Sequence, residues 1–132
     1  MAFLYESEKR EFVRVGMAVP VKYKFISQSP DVTPPEDFLE GETQNIGAGG
    51  ILLVGPVPQS DLITELLIQK VVVGVRLFLP GEKTPVEAIA RVAWLESIDE
   101  KEEKCSLGLS FKEITSEAQD TLFRFIINSR MS

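Results

Sequence analysis

The sequence predicts a mainly β fold, a small antiparallel barrel with a short internal helix and a closing C-terminal α-helix. Three observations point there. Several segments alternate apolar and polar residues with a period of two; turn-forming residues separate them; and one broad apolar helical stripe appears only at the end. Closing such strands into a barrel removes exposed sheet edges.

Val19, Val21, Tyr23 and Phe25 fall on one face of residues 18–26, with Lys22 and Lys24 opposite, the pattern of a half-buried strand. Residues 27–43 lose that pattern and collect Ser27, Ser29, Pro30, Pro34, Pro35 and several acids, so a loop is expected there. Ile51 to Val54 form a short apolar strand after a glycine-rich turn. Ser60, Asp61 and the apolar spacing through Leu67 predict a short helix with a hydroxyl N-cap. Strands follow over Val71–Leu79, over Ala88, Ala90, Val92 and Trp94, and over Cys105, Leu107, Leu109 and Phe111. The charged run 99–104 reads as a solvated hairpin loop. Ser116 and Gln119 stand at capping-box spacing, and Leu122, Phe123, Phe125, Ile126 and Ile127 then cover one helical face. That face suits a plug over the barrel, or a partner protein.

A length of 132 residues fits one domain, 1–132, comprising an N-terminal arm over 1–17, the barrel over 18–114 and the helix over 115–130. Apolar residues at 44% and charged residues at 26% are ordinary for a folded globular chain. The net charge of −6 repels nucleic-acid backbones, which argues against DNA or RNA as a partner. A small anionic ligand would therefore need a local cluster of donors, and Lys9, Arg10, Arg14, Lys22 and Lys24 supply one. With one cysteine and no histidine, the chain can form no internal disulfide and no zinc site of the usual kind, so a reducing cytoplasm is the expected setting. Neither a secretory signal nor a membrane-spanning segment is expected.

The usual catalytic constellations are missing, so no enzymatic activity, metal or cofactor is expected. Two elements carry chemistry. Arg10 and Arg14 lie four residues apart ahead of the first strand, and a guanidinium can fork onto phosphate or onto guanine O6 and N7, or stack on a base. In Asn45-Ile46-Gly47-Ala48-Gly49-Gly50, an amide stands beside glycines that permit close backbone approach to a ligand. Taken singly, the first reads as a surface ion-pair pattern and the second as a turn. Trp94, by the alternation of its neighbours, is expected in the barrel core, and Cys105 is expected to be a small buried residue.

Taken together, R-x-x-x-R before a strand and [DN]-x-S-x-x-G leading into an apolar strand resemble the PilZ domain family. The matching residues are Arg10, Arg14, Asn45 and Gly50, and the likeness extends to Val19-Pro20-Val21-Lys22-Tyr23, Ala90-Arg91-Val92-Ala93-Trp94 and Gly108-Leu109-Ser110-Phe111. The resemblance implies a six-stranded barrel with a C-terminal helix, serving as a bacterial cytoplasmic receptor for cyclic di-GMP. Such a receptor would act on motility, adhesion or exopolysaccharide (biofilm) output through a protein partner. By position, Arg10 and Arg14 would grip the ligand from a flexible arm, while Asn45, Gly47 and Gly50 meet it from the barrel; Lys9 could add a phosphate contact.

Gly47 departs from the pattern, since the family has serine there. Losing that hydroxyl should weaken binding by up to about tenfold, and restoring serine should tighten it. It also keeps open an alternative function, a PilZ-like protein-interaction domain that no longer binds the nucleotide.

Overall fold

A computed structural model of the chain describes residues 14–56, 58, 60–99, 101 and 103–131. Seven strands, β1 (Arg14–Val15), β2 (Pro20–Ser27), β3 (Leu39–Gly47), β4 (Gly50–Pro56), β5 (Val71–Leu77), β6 (Val86–Asp99) and β7 (Lys104–Glu113), are joined by helix α1 (Ser60–Leu67) and followed by helix α2 (Ser116–Met131). Six of them close into an antiparallel barrel in the order β3-β2-β5-β6-β7-β4, with β4 returning to β3. β1 lies outside the closed ring and pairs with β3 alone.

The alternation read in the sequence is the alternation that fills the barrel. Val19, Val21, Tyr23 and Phe25 of the β2 segment point inward with Val71, Val73, Val75 and Leu77 of β5, and with Leu107 and Leu109 of β7. α2 buries Leu122 and Ile126 fully, so its apolar stripe serves the domain's own core. Its N-cap is Thr115 rather than Ser116: the Thr115 hydroxyl accepts the Ala118 amide at 3.1 Å. Gln119 is thereby released from the expected capping box and reaches towards the barrel instead.

The expected loop over residues 27–43 is too long, because Leu39–Glu42 already belong to β3 and pair with Pro20–Tyr23 of β2. From Glu42 onward β3 pairs with β4, so this strand closes the barrel by serving two neighbours in succession. Of the expected flexible arm over 1–17, residues 1–13 lie outside the described residues, and the inner end joins the barrel. Arg14 and Val15 pair with Gly47 and Ile46, and the chain that follows is clamped by Thr43. That buried hydroxyl donates to the Met17 carbonyl at 2.6 Å and accepts the Val19 amide at 2.9 Å. Arg14 is therefore held against the barrel wall.

Cys105 is fully buried, and burial raises its thiol pKa above the ordinary value. A thiol reagent is accordingly expected to label the folded protein orders of magnitude more slowly than the unfolded chain, with a rate set by opening of the barrel, as absorbance of a released chromophore would show. No helix among the described residues is long and apolar enough to cross a membrane.

Candidate ligand-binding site

The residues singled out by the motif converge where β1, β3, β4, β6 and β7 lie side by side. Arg14 on β1 directs its guanidinium at Asn45 on β3: Nε donates to Asn45 Oδ1 at 2.9 Å and Nη2 to the same oxygen at 2.6 Å. Nη2 also reaches the Gly50 carbonyl at 3.3 Å. Partial burial lowers the pKa of Arg14 from its ordinary value, but arginine stays cationic throughout the working pH range. Among the described residues, the hydrogen bonds of the Arg14 guanidinium are made by Nε and Nη2.

Two β-bulges orient the site. Along β3 the register shifts between Thr43 and Asn45, so Thr43 points into the barrel while Asn45 stands on the outside and Ile46 returns to the core. Along β6 the register shifts between Val92 and Trp94, with the same consequence. Val92 is buried, but Trp94 emerges on the outer surface with 45% of its area exposed. The expectation of a core Trp94 fails for this reason: an extra residue, Ala93, inverts the alternation that Ala88, Ala90 and Val92 set up. The indole then lies over Gly108, its cross-strand partner. A Cβ there would fall 2.3 Å from Trp94 Nε1, so only glycine lets the ring lie down on β7.

The two outward residues border one groove of about 610 Å³, shared by Arg14, Asn45, Gly50, Leu52, Trp94 and Gly108. Ser110 and Gln119 contribute to the same wall. Gln119 Nε2 makes a contact of 3.5 Å, at the limit of a hydrogen bond, with the Ala48 carbonyl in the β3–β4 turn. The continuous register Arg14, Gly47, Gly50, Ser110, Arg91 runs across five strands on this face and puts an arginine at each end of a small-residue floor.

Of the residues expected at the site, Arg14, Asn45 and Gly50 are thus brought together, and Gly47 lies against the Arg14 side chain. Lys9 and Arg10 lie outside the described residues. Gly50 has a structural duty as well, because a Cβ at that position would fall 2.1 Å from the Leu109 carbonyl oxygen. Sequence reasoning missed Trp94, Ser110 and Gln119 as groove residues. The G-x-x-F spacing of β7 marks Ser110 as an outward position only once its neighbours are known, and nothing local marks the bulge at Ala93. Among the described residues, no cluster of three or more His, Cys, Asp or Glu side chains is arranged to hold a metal ion.

Fold and groove together define the class: a small closed β-barrel with a polar groove, floored by small residues, on its outer face. The model of the PilZ domain matches residues 8–128, and the chain belongs to the PilZ domain family. No curated protein matches the sequence significantly. Among solved structures, the chain is similar to the Bacillus subtilis inhibitor of motility MotI/DgrA, with 24% identity and a TM-score of 0.65 over 92% of this chain and 51% of that one. It therefore spans about half of that protein's length. It is also similar to the PilZ domain of YcgR from Escherichia coli with c-di-GMP, at 12% identity and a TM-score of 0.54 over 89% of this chain and 88% of that one. A third similar structure is the Borreliella burgdorferi PlzA protein in complex with c-di-GMP, at 8% identity and a TM-score of 0.57 over 98% of this chain and 56% of that one. At these identities the likeness to each structure is one of fold.

Proposed function

We propose that this chain is a receptor domain for cyclic di-GMP, binding one face of the dinucleotide in the groove between Arg14 and Trp94. The observation that carries the reading is the sharing of one groove by a fork-shaped cation and an open indole face. A cyclic dinucleotide needs both. Its phosphates and the O6 and N7 edge of guanine accept from guanidinium, and its bases stack on an aromatic ring, a contact worth about 1–3 kcal/mol per base. Family membership and the two similar structures that hold c-di-GMP support the same reading.

In this scheme Arg14 offers Nη1 to the ligand while its other donors stay on Asn45 and Gly50. Arg10, with Lys9 beside it, adds the second cation from outside the described residues. The domain is a receptor and not a catalyst, so its output passes to a protein partner. Motility, the process for which MotI is named, is one such output, and adhesion or exopolysaccharide synthesis are others. A bacterial cytoplasm suits a receptor for this messenger.

Trp94 is the single tryptophan of the chain, so its fluorescence reports on the groove directly. Titration with cyclic di-GMP is expected to quench it saturably, with a matching heat in calorimetry. A second reading, an interaction domain that has lost the nucleotide, is favoured by glycine at position 47, which lacks the motif's hydroxyl. Unchanged fluorescence and no heat at high micromolar ligand would remove the first reading and leave the second.

A further inference from the structure

We propose that Gly47 is the positioning residue for Arg14, so that this chain exchanges the serine hydroxyl of the usual motif for a guanidinium already seated on the barrel. The inference rests on the groove being a nucleotide site, and it assigns Gly47 a role there that the motif does not contain.

Arg14 and Gly47 are direct cross-strand partners in the β1–β3 pair, where side chains that face each other come within about 4.5–5.5 Å at Cβ. With no side chain on one partner, the other folds across the gap. A Cβ at position 47 would lie 2.8 Å from Arg14 Nη1, 3.1 Å from its Cγ and 3.2 Å from its Cζ. Nη1 is closer than a real Cβ tolerates, and Cγ and Cζ are close enough that each must give by a few tenths of an ångström. Nη1 would have to swing away, and because it shares one rigid plane with Nε and Nη2, the two hydrogen bonds to Asn45 and the one to Gly50 would be disturbed with it.

Backbone conformation does not require the glycine. Gly81 is the glycine with positive φ among the described residues, and Gly47 sits within the regular pairing of β3. What position 47 supplies is room. Asn45, turned outward by its bulge, receives the guanidinium and fixes which edge faces the groove. The missing serine therefore does not leave a gap in the site, and the expectation that Gly47→Ser tightens binding is reversed.

The test combines Gly47→Ser with Asn45→Ala, which empties the same seat while leaving Gly47 and its strand pairing unchanged. In ligand-free protein, the Arg14 Nε–Hε resonance is followed by NMR. Both substitutions are expected to move it from a hydrogen-bonded position to that of a solvated arginine. Both are also expected to weaken cyclic di-GMP binding by about tenfold, the scale of one lost hydrogen bond, with no further loss when either is added to Arg14→Ala. An unmoved resonance in Gly47→Ser, or tighter binding by that variant, overturns the assignment. If the wild type binds no cyclic di-GMP, the receptor reading fails by itself, and the ligand-free resonance still decides whether Gly47 seats Arg14.

Discussion

Gly50→Ala is expected to lower the thermal midpoint by roughly 10 °C, the consequence of about 3 kcal/mol of overpacking in a domain of this size. The added Cβ would meet the Leu109 carbonyl oxygen at 2.1 Å and its carbon at 3.1 Å. Both belong to the backbone of β7, so no rotamer change relieves the clash. β4 would have to move away from β7, where Gly50 to Pro56 pair with Lys104 to Ser110 along the barrel wall. Gly49→Ala provides the contrast one residue away, since a Cβ there meets nothing within 4 Å and its φ is not positive. That variant is expected to melt within about 2 °C of the wild type, as befits a surface substitution. Circular dichroism melts of the two proteins check the pair, and equal midpoints would show that β4 and β7 approach less closely than described.

Arg14→Ala is expected to reduce affinity for cyclic di-GMP on the order of 100-fold, because it removes a charge-assisted fork and leaves Asn45 without its partner. The loss should come without a comparable loss of fold stability, since the Arg14–Asn45 bonds are solvent-exposed. Arg14→Lys is expected to recover little of the affinity. A lysine ammonium is a point charge that cannot hold Asn45 Oδ1 through two donors and still present a third to the ligand. Tryptophan quenching and calorimetry measure all three proteins alike. Wild-type affinity in Arg14→Ala, with an unaltered melt, would exclude this arginine from the site.

Much of the barrel was legible in the sequence because its strands follow one rule. Wherever the inward positions are occupied by Val, Leu, Ile or aromatic residues, as in β2, β5 and β7, the period of two is plain. β3 breaks the rule, so its first residues look like loop in the sequence. Its inward positions include Gly41 and Thr43, and its bulge changes phase before Ile46. Thr43 belongs inside only because its hydroxyl is satisfied by Met17 and Val19, more than 20 residues away. β1 has two residues, too few to show any period, and its pairing depends wholly on the partner strand. The cap of α2 shifted by one position between two adjacent hydroxyl residues, Thr115 and Ser116, which local sequence does not separate.

The candidate site divides in the same way. Residue types alone read as an ion-pair pattern and a turn, and it was their joint resemblance to the PilZ motif that singled out Arg10, Arg14, Asn45, Gly47 and Gly50. Composition likewise set the requirement for a local cluster of donors, since an acidic chain cannot attract an anion by its average field. Tertiary structure alone decided where those groups point. Bulges at Gln44 and Ala93 turn Asn45 and Trp94 to the outer face, and the pairing of β1 with β3 lays Arg14 across Gly47. Each of these is a phase or a register. Both are set by which strands meet across the barrel, at separations where no local preference of the chain can fix them.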